Sequence, residues 1–427
     1  MGRLRVHDNQ CSFILDGKPF FYLGDTVWSA FTNITMEEWE YYLSVRKKQG
    51  FTVLQINTMP QWDRCMTDVG VYPFATKDGQ TFDFTRWNDD YYVRARQMCR
   101  MAVEQGFQLA LVVLWLNYVP GTWGSRMISS NIMPEELVEE YTRRIVAEFD
   151  EFHPIYVVSG DTDFDTPEAV RYYRMALEAL CERSPESLKT MHIKRGYDVI
   201  PEEFLEHLDF YMFQSGHNAG EQHMAYELPK RLLEKYPKKP IINAEPCYEQ
   251  MGYSRKEYGR FLAKDTRRAA WSSLLSGACG GVTYGAHGVW NWQKVNKTCN
   301  PVLGEGFDEP IPWQDAIRLP GAWDYGYIRY ILEQYHITEL TPVQEHVGNP
   351  SEKIRMAAAG EMYLVYLPYN TKAVIKIPLD GYGAKTIDLQ TKCVAYTDVK
   401  VKDGHTVVGM HPFEGDALVI LEKQSDR

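Results

Sequence analysis

Two short stretches carry the residue types that could do chemistry. "VVSGDTDF" ends a β-type run in a carboxylate, Asp161. "KPIINAEPCYE" ends another in Glu245, where Pro246 stops the run and Glu249 follows four residues later. Two carboxyl groups facing each other across a cleft are what cleavage of a glycosidic bond requires. One is protonated and donates to the leaving oxygen; the other is ionised and attacks the anomeric carbon or activates water. Each carboxylate alone also has an ordinary explanation. Asp163 and Asp165 follow Asp161, and Asp165 or Thr166 is placed to cap the next helix. Glu249 could equally touch a substrate or salt-bridge a neighbouring loop. The pair acquires meaning only if the fold sets its members opposite one another.

The rhythm of the chain says that it does. Apolar runs at 19–26, 51–58, 107–115, 154–161, 188–196, 209–217, 239–246 and 279–288 read as strands. Several, such as "FQLALVVLW", lack polar alternation and suit parallel strands buried on both faces. Amphipathic stretches at 35–50, 88–106, 133–152, 166–183, 201–208, 223–237 and 255–278 separate them, with Pro229 expected to interrupt the sixth. Thr35 and Glu38 form a capping-box pair, Gly50 is a stop, and Pro167 sits in a first helical turn. The alternation predicts an α/β chain with a (β/α)8 barrel. A doubly wound sheet is the alternative, but "LGDTVWSAF" after the first strand is not a glycine-rich phosphate loop. After a helical stretch at 312–335 the texture changes to short strands separated by "LDGYG", "KDGH" and "EGD". That pattern predicts a small antiparallel β-sandwich. The boundary is expected between 336 and 350, giving a barrel over 1–340 and a sandwich over 341–427, the latter packed as a buttress.

In such barrels the chemistry lies at the carboxyl ends of the strands. The strand ends and the loops after them supply Asp25 and Trp28, Asn57 and Trp62, Trp115 and Asn117, Asp161, His192, Gln214 and His217, Glu245, and finally Tyr284, His287 and Trp290. The fourth and seventh strands lie three apart around the ring, so Asp161 and Glu245 can face each other. The remaining residues are expected to bind substrate, with amides and histidines meeting hydroxyls and indoles stacking on sugar faces. Asp25 is expected either to bond substrate hydroxyls or to hold the floor of the site.

Other functions are excluded on composition and motif. A net charge of −11 without a basic stripe opposes nucleic acid and anionic membranes. No run of 18 apolar residues could span a bilayer, and the amino terminus shows no signal-peptide core, so a cytoplasmic protein is expected. Eight cysteines without a CxxC pair argue against zinc and redox motifs, and reduced thiols are expected. His-x-His, GxSxG and GxxxxGK[ST] are absent, and His217 and His223 are six apart, so no metal or organic cofactor is expected. The partner implied is a carbohydrate substrate; oligomeric state is left open.

The stretches "LDGKPFFYLGDTVWSAF", "VVSGDTDF", "INAEPCYE" and "SGACGGVTYGAHGVWNW" together resemble the apiosidase-like barrel family, glycoside hydrolase family 140, over nearly the whole chain. The resemblance implies a retaining, exo-acting glycosidase that releases apiose from plant pectin side chains. Asp161 would be its acid/base and Glu245 its nucleophile. Retention requires the two carboxyl groups to be about 5–5.5 Å apart. The alternative is an inactive sugar-binding protein on the same barrel, with the two carboxyl groups pointing apart or locked in salt bridges.

Overall fold

Eight parallel strands surround the core: β1 (Tyr22–Thr26), β2 (Val53–Asn57), β3 (Gln108–Trp115), β4 (Ile155–Gly160), β5 (Lys189–Thr190), β6 (Tyr211–Phe213), β7 (Ile241–Asn243) and β8 (Gly281–Tyr284). They are hydrogen-bonded in the order β5-β4-β3-β2-β1-β8-β7-β6. The computed structural model describes residues 2–253, 257–297 and 309–424. Every residue of β3 is buried, as its unbroken apolar run predicts, because helices cover one face and the barrel interior the other. No regular ladder joins β5 to β6. Local bonds link the two strands instead: Asp209 N–H donates to Lys189 O at 2.8 Å, Lys189 N–H to the Asp209 carboxylate at 2.7 Å, and Gly196 N–H to Gln214 O at 3.0 Å. The predicted (β/α)8 arrangement is present.

Local signals place the helices well. Met36–Lys48 begins at the Thr35–Glu38 capping box, with both reciprocal bonds made. Pro167–Arg183 begins behind Thr166, whose hydroxyl accepts Ala169 N–H, so Thr166 rather than Asp165 is the cap. Three expectations are corrected. Pro229 does not interrupt its helix: Met224–Lys235 runs through it, since one missing N–H forfeits one bond and the ring is buried against the core. The helix expected from 255 begins at Ala263, where the Asp265 carboxylate accepts Leu262 N–H at 2.9 Å; residues 255–256 lie outside the described residues, as does Cys299. The stretch 312–335 is two helices, Trp313–Ala316 and Gly321–Gln334, broken at Pro320. Two antiparallel elements went unpredicted: an amino-terminal sheet (Arg5–Val6, Phe13–Leu15, Lys18–Phe20) and a hairpin (Phe74–Thr76, Phe82–Trp87).

From Thr341 onward the strands are antiparallel, in one six-stranded and one three-stranded sheet. Met356, Val365, Ile375 and Val419 make a small core of their own. Leu364, Tyr366, Leu418 and Ile420 join the barrel core instead. The contact is also polar. Arg267, on the helix Ala263–Leu274, forks onto Asp416 and reaches Asp324 at 2.5 Å, and Tyr366 donates to the same Asp416. Buried on both sides, this junction makes the carboxy-terminal sheets a fixed buttress of the barrel wall. Among the described residues no helix is long and apolar enough to cross a membrane.

Candidate active site

Glu245 leaves the end of β7 where Pro246 prevents the strand from continuing, and its side chain is almost entirely buried. Two imidazoles meet it. His217 Nε2 lies 2.9 Å from Oε1, and His192 Nε2 lies 3.3 Å from Oε2, a longer and less direct approach. The tautomers follow from what holds the other nitrogens. Tyr248 N–H donates to His217 Nδ1 at 3.2 Å, and Asp161 N–H donates to His192 Nδ1 at 2.9 Å. A ring whose Nδ1 accepts carries its hydrogen on Nε2. Both histidines therefore turn an N–H toward the carboxylate. Burial alone would push Glu245 up, but the N–H groups of His192 and His217 outweigh it and hold the carboxyl down at about 2. Glu245 is thus ionised across the working range of most enzymes, and each oxygen keeps a second lone pair.

Asp161 follows Gly160, the last residue of β4, and has a left-handed backbone, φ 50°. A Cβ at Gly160 would lie 1.9 Å from the Trp115 ring, so glycine there lets the strand end press against that indole. The turn sends Asp161 N–H to His192, while Trp123 Nε1 donates to Asp161 O at 2.8 Å. Asp161 and Glu245 accordingly address the two nitrogens of a single imidazole. The neighbouring aspartates are occupied elsewhere. Asp163, fully buried, accepts Trp123 N–H and pairs with Arg126 and Lys194; Asp165 pairs with Lys194 and accepts Tyr197. Of the three, Asp161 is the one whose backbone N–H bonds a ring that faces Glu245.

Aromatic rings line that pocket. Trp115 stacks on His192 at 6.1 Å, and Trp28 packs edge-on to His192 and tilted against Trp115. Trp28 Nε1 donates to Tyr248 Oη at 3.0 Å, and Tyr248 in turn lies over His217 at 4.4 Å and near Trp290 at 6.5 Å. Trp290 stacks on His287 and donates to its Nδ1. Several buried polar atoms at the strand ends have no protein partner: both amide atoms of Asn57, Asn117 Oδ1, Trp115 Nε1 and Gln214 Oε1. Buried polar atoms are normally bonded, so a cluster of such atoms at a barrel mouth suits a polyhydroxylated ligand.

Residues 8–339 match the family described as "Apiosidase-like, catalytic domain". The chain belongs to that family. It is a glycoside hydrolase. No curated protein matches it. A solved glycoside hydrolase superposes with a TM-score of 0.79 at 22% identity, covering 100% of this chain and 98% of its own. A family 5 glycoside hydrolase from Bacteroides vulgatus gives 0.83 at 20% identity, covering 100% and 93%. At such identities these two likenesses speak for the fold alone.

Two sequence expectations are corrected on this apiosidase-like barrel. Asp25 does not face the mouth. Its carboxylate turns outward between β1 and the helix Met36–Lys48, where Arg46 Nε at 2.6 Å and Tyr42 Oη at 2.7 Å hold it in full burial, so it fastens helix to strand. Tyr284 also points out of the barrel, its hydroxyl donating to Glu249 Oε2 at 2.6 Å. His192 is fully buried, its Nδ1 accepting Asp161 N–H and its Nε2 facing Glu245 Oε2 at 3.3 Å without completing a hydrogen bond. Two contributors were missed. Tyr248 was legible as the tyrosine of "EPCYE", three residues after Glu245. Trp123 opens the short helix Trp123–Met127, whose one local signal is the Thr122 cap. Among the described residues no cluster of His, Cys, Asp and Glu is arranged to hold a metal ion.

Among the described residues Glu249 forms no salt bridge, and its carboxylate is turned toward Tyr284 and the start of the helix Gly321–Gln334. It accepts Tyr284 Oη and, at 2.8 Å, Gly321 N–H, and so caps the helix Gly321–Gln334. Burial raises its carboxyl to about 7 despite those two donors. A carboxyl raised on folding contributes stability that is complete below its unfolded value of 4.5 and lost as pH rises through 7. The loss should be on the order of 3 kcal/mol. Glu249→Gln should flatten the pH dependence of Tm over that interval, and a slope unchanged from wild type would refute the assignment.

Proposed function

We propose that the enzyme is a retaining, exo-acting glycosidase for short plant-derived oligosaccharides or glycosides, with a terminal apiose or related pentofuranose as the released sugar. The observation that carries this reading is the Glu245 carboxylate facing two imidazole Nε2 atoms, at 2.9 and 3.3 Å, one of those rings accepting the Asp161 backbone N–H through its other nitrogen. In the first step a Glu245 oxygen bonds to the anomeric carbon, the glycosidic C–O bond breaks, and the Asp161 proton passes to the departing oxygen. In the second, Asp161 takes a proton from water, the water oxygen bonds to the anomeric carbon, and Glu245 leaves as carboxylate. Asn57, Asn117, Gln214 and Trp115 would bond the sugar hydroxyls, and the Trp28 and Trp290 rings would bound the pocket. The inactive-binder alternative expects these carboxyl groups to point apart or to be locked in salt bridges; among the described residues the ion partners of Glu245 are histidines, not lysine or arginine.

A panel of aryl glycosides and plant oligosaccharides tests the reading, with the first anomer released followed by NMR. Hydrolysis of a pentofuranoside with retention is expected; release of the inverted anomer would sink the nucleophilic role. The histidines give a pH test. Glu245 must be ionised, so its low value puts the acidic limb of kcat/KM near pH 2. His217→Phe removes the closer donor and lets burial prevail, which raises the Glu245 pKa and moves that limb to higher pH. A limb that stays in place would show that His217 does not hold the charge.

A further inference from the structure

We infer that Trp62 and Trp123 form the wall of a leaving-group subsite, so the preferred substrates carry a ring as aglycone, either a second sugar or an aromatic group. The inference rests on the acid/base role of Asp161. Trp62 lies in the loop after β2, and Trp123 opens the short helix Trp123–Met127 after β3. Their rings meet edge to face, 5.8 Å apart at 83°. Trp28, Trp115 and Trp290 are 2%, 4% and 7% exposed and are therefore packed into the pocket; Trp62 and Trp123 are only half-buried. They are the mouth indoles with ring surface left to offer.

Their position relative to the chemistry decides what that surface would meet. Trp123 Nε1 is bonded to the backbone oxygen of Asp161, so the pair stands beside the group that protonates the glycosidic oxygen. His192, His217 and Tyr248 surround Glu245 instead, where the anomeric carbon must lie. The leaving group departs on the acid's side, which is the Trp62–Trp123 side. Because the Trp123 N–H is already used, what remains is an apolar ring surface, suited to the C–H face of a sugar or to an aromatic ring.

The test compares Trp62→Ala with wild type on two donors of the sugar identified by the panel: its para-nitrophenyl glycoside and its glycosyl fluoride, which carries no ring to stack. Trp62 is chosen over Trp123 because the latter also holds the Asp161 backbone. The expected result is a roughly tenfold loss of kcat/KM on the aryl glycoside, mostly in KM, with fluoride turnover within about twofold of wild type. Trp62→Phe should recover much of the loss. Normal fluoride turnover also shows that the variant is folded. Equal losses on both donors, or no loss on either, would overturn the subsite while leaving the catalytic reading standing. A wild-type enzyme inert toward every glycoside in the panel would overturn both.

Discussion

Replacing Glu245 with glutamine lowers kcat by about four orders of magnitude or more, while binding of the released sugar changes only a few-fold. The amide keeps the shape of the carboxylate but has no charge with which to attack the anomeric carbon. Its carbonyl can still accept from His217, whereas its NH2 would face the Nε2–H of His192, a donor against a donor. That conflict falls on a buried ring in the wall, so the hydroxyl-binding amides are left in place. Steady-state kinetics and calorimetric titration with the sugar read the two effects separately. The smaller variant Glu245→Ala adds a diagnostic. Azide admitted to the vacated space should restore turnover of an activated aryl glycoside and yield a glycosyl azide of inverted configuration. Glu245→Gln with more than about a tenth of wild-type turnover would rule out the nucleophile assignment.

Asp161→Asn should divide substrates by leaving group. Protonation matters most when the departing oxygen is a poor leaving group, so oligosaccharides should lose roughly 10²–10⁴-fold in kcat/KM. A para-nitrophenyl glycoside, which departs without a proton, should lose little in its first step. Its second step still needs Asp161 to deprotonate water, so the glycosyl-enzyme should accumulate and give a burst of nitrophenol followed by slow turnover. Losses of equal size on both substrate types would mean that Asp161 is not the acid. The same substitution at Asp163 should not discriminate between leaving groups, because that carboxylate is buried among Trp123 N–H, Arg126 and Lys194 and serves the loop.

Much of this protein is legible without coordinates because its signals are local. The Thr35–Glu38 capping box, Pro167 in a first turn, and the apolar run 109–115 each specify an element from a few neighbouring residues. Eight strand-and-helix units in succession then leave few alternatives to a barrel, and the barrel assigns chemistry to strand ends. That is enough to single out Asp161 and Glu245. The amino-terminal sheet, three antiparallel strands of two or three residues each, has no such run or period to announce it.

What only the tertiary structure decided is where side chains point and what they touch. Strand residues alternate between faces, so a strand end known to within one residue does not tell inward from outward. Asp25 and Tyr284 occupy strand ends as expected, yet both face the helices, where Arg46 and Glu249 meet them. The partners of Asp163 and Asp165, namely Trp123, Arg126, Lys194 and Tyr197, and the left-handed backbone of Asp161 are likewise set only by the fold. The state of Glu245 rests on His192 and His217, 53 and 28 residues away in the chain, and on the backbone amides that set their tautomers. The sequence by itself determined that a carboxylate stands at the end of a buried seventh strand. The folded barrel alone decided that its charge survives burial, because only folding brings the two imidazoles that lower its pKa against the cost of that burial.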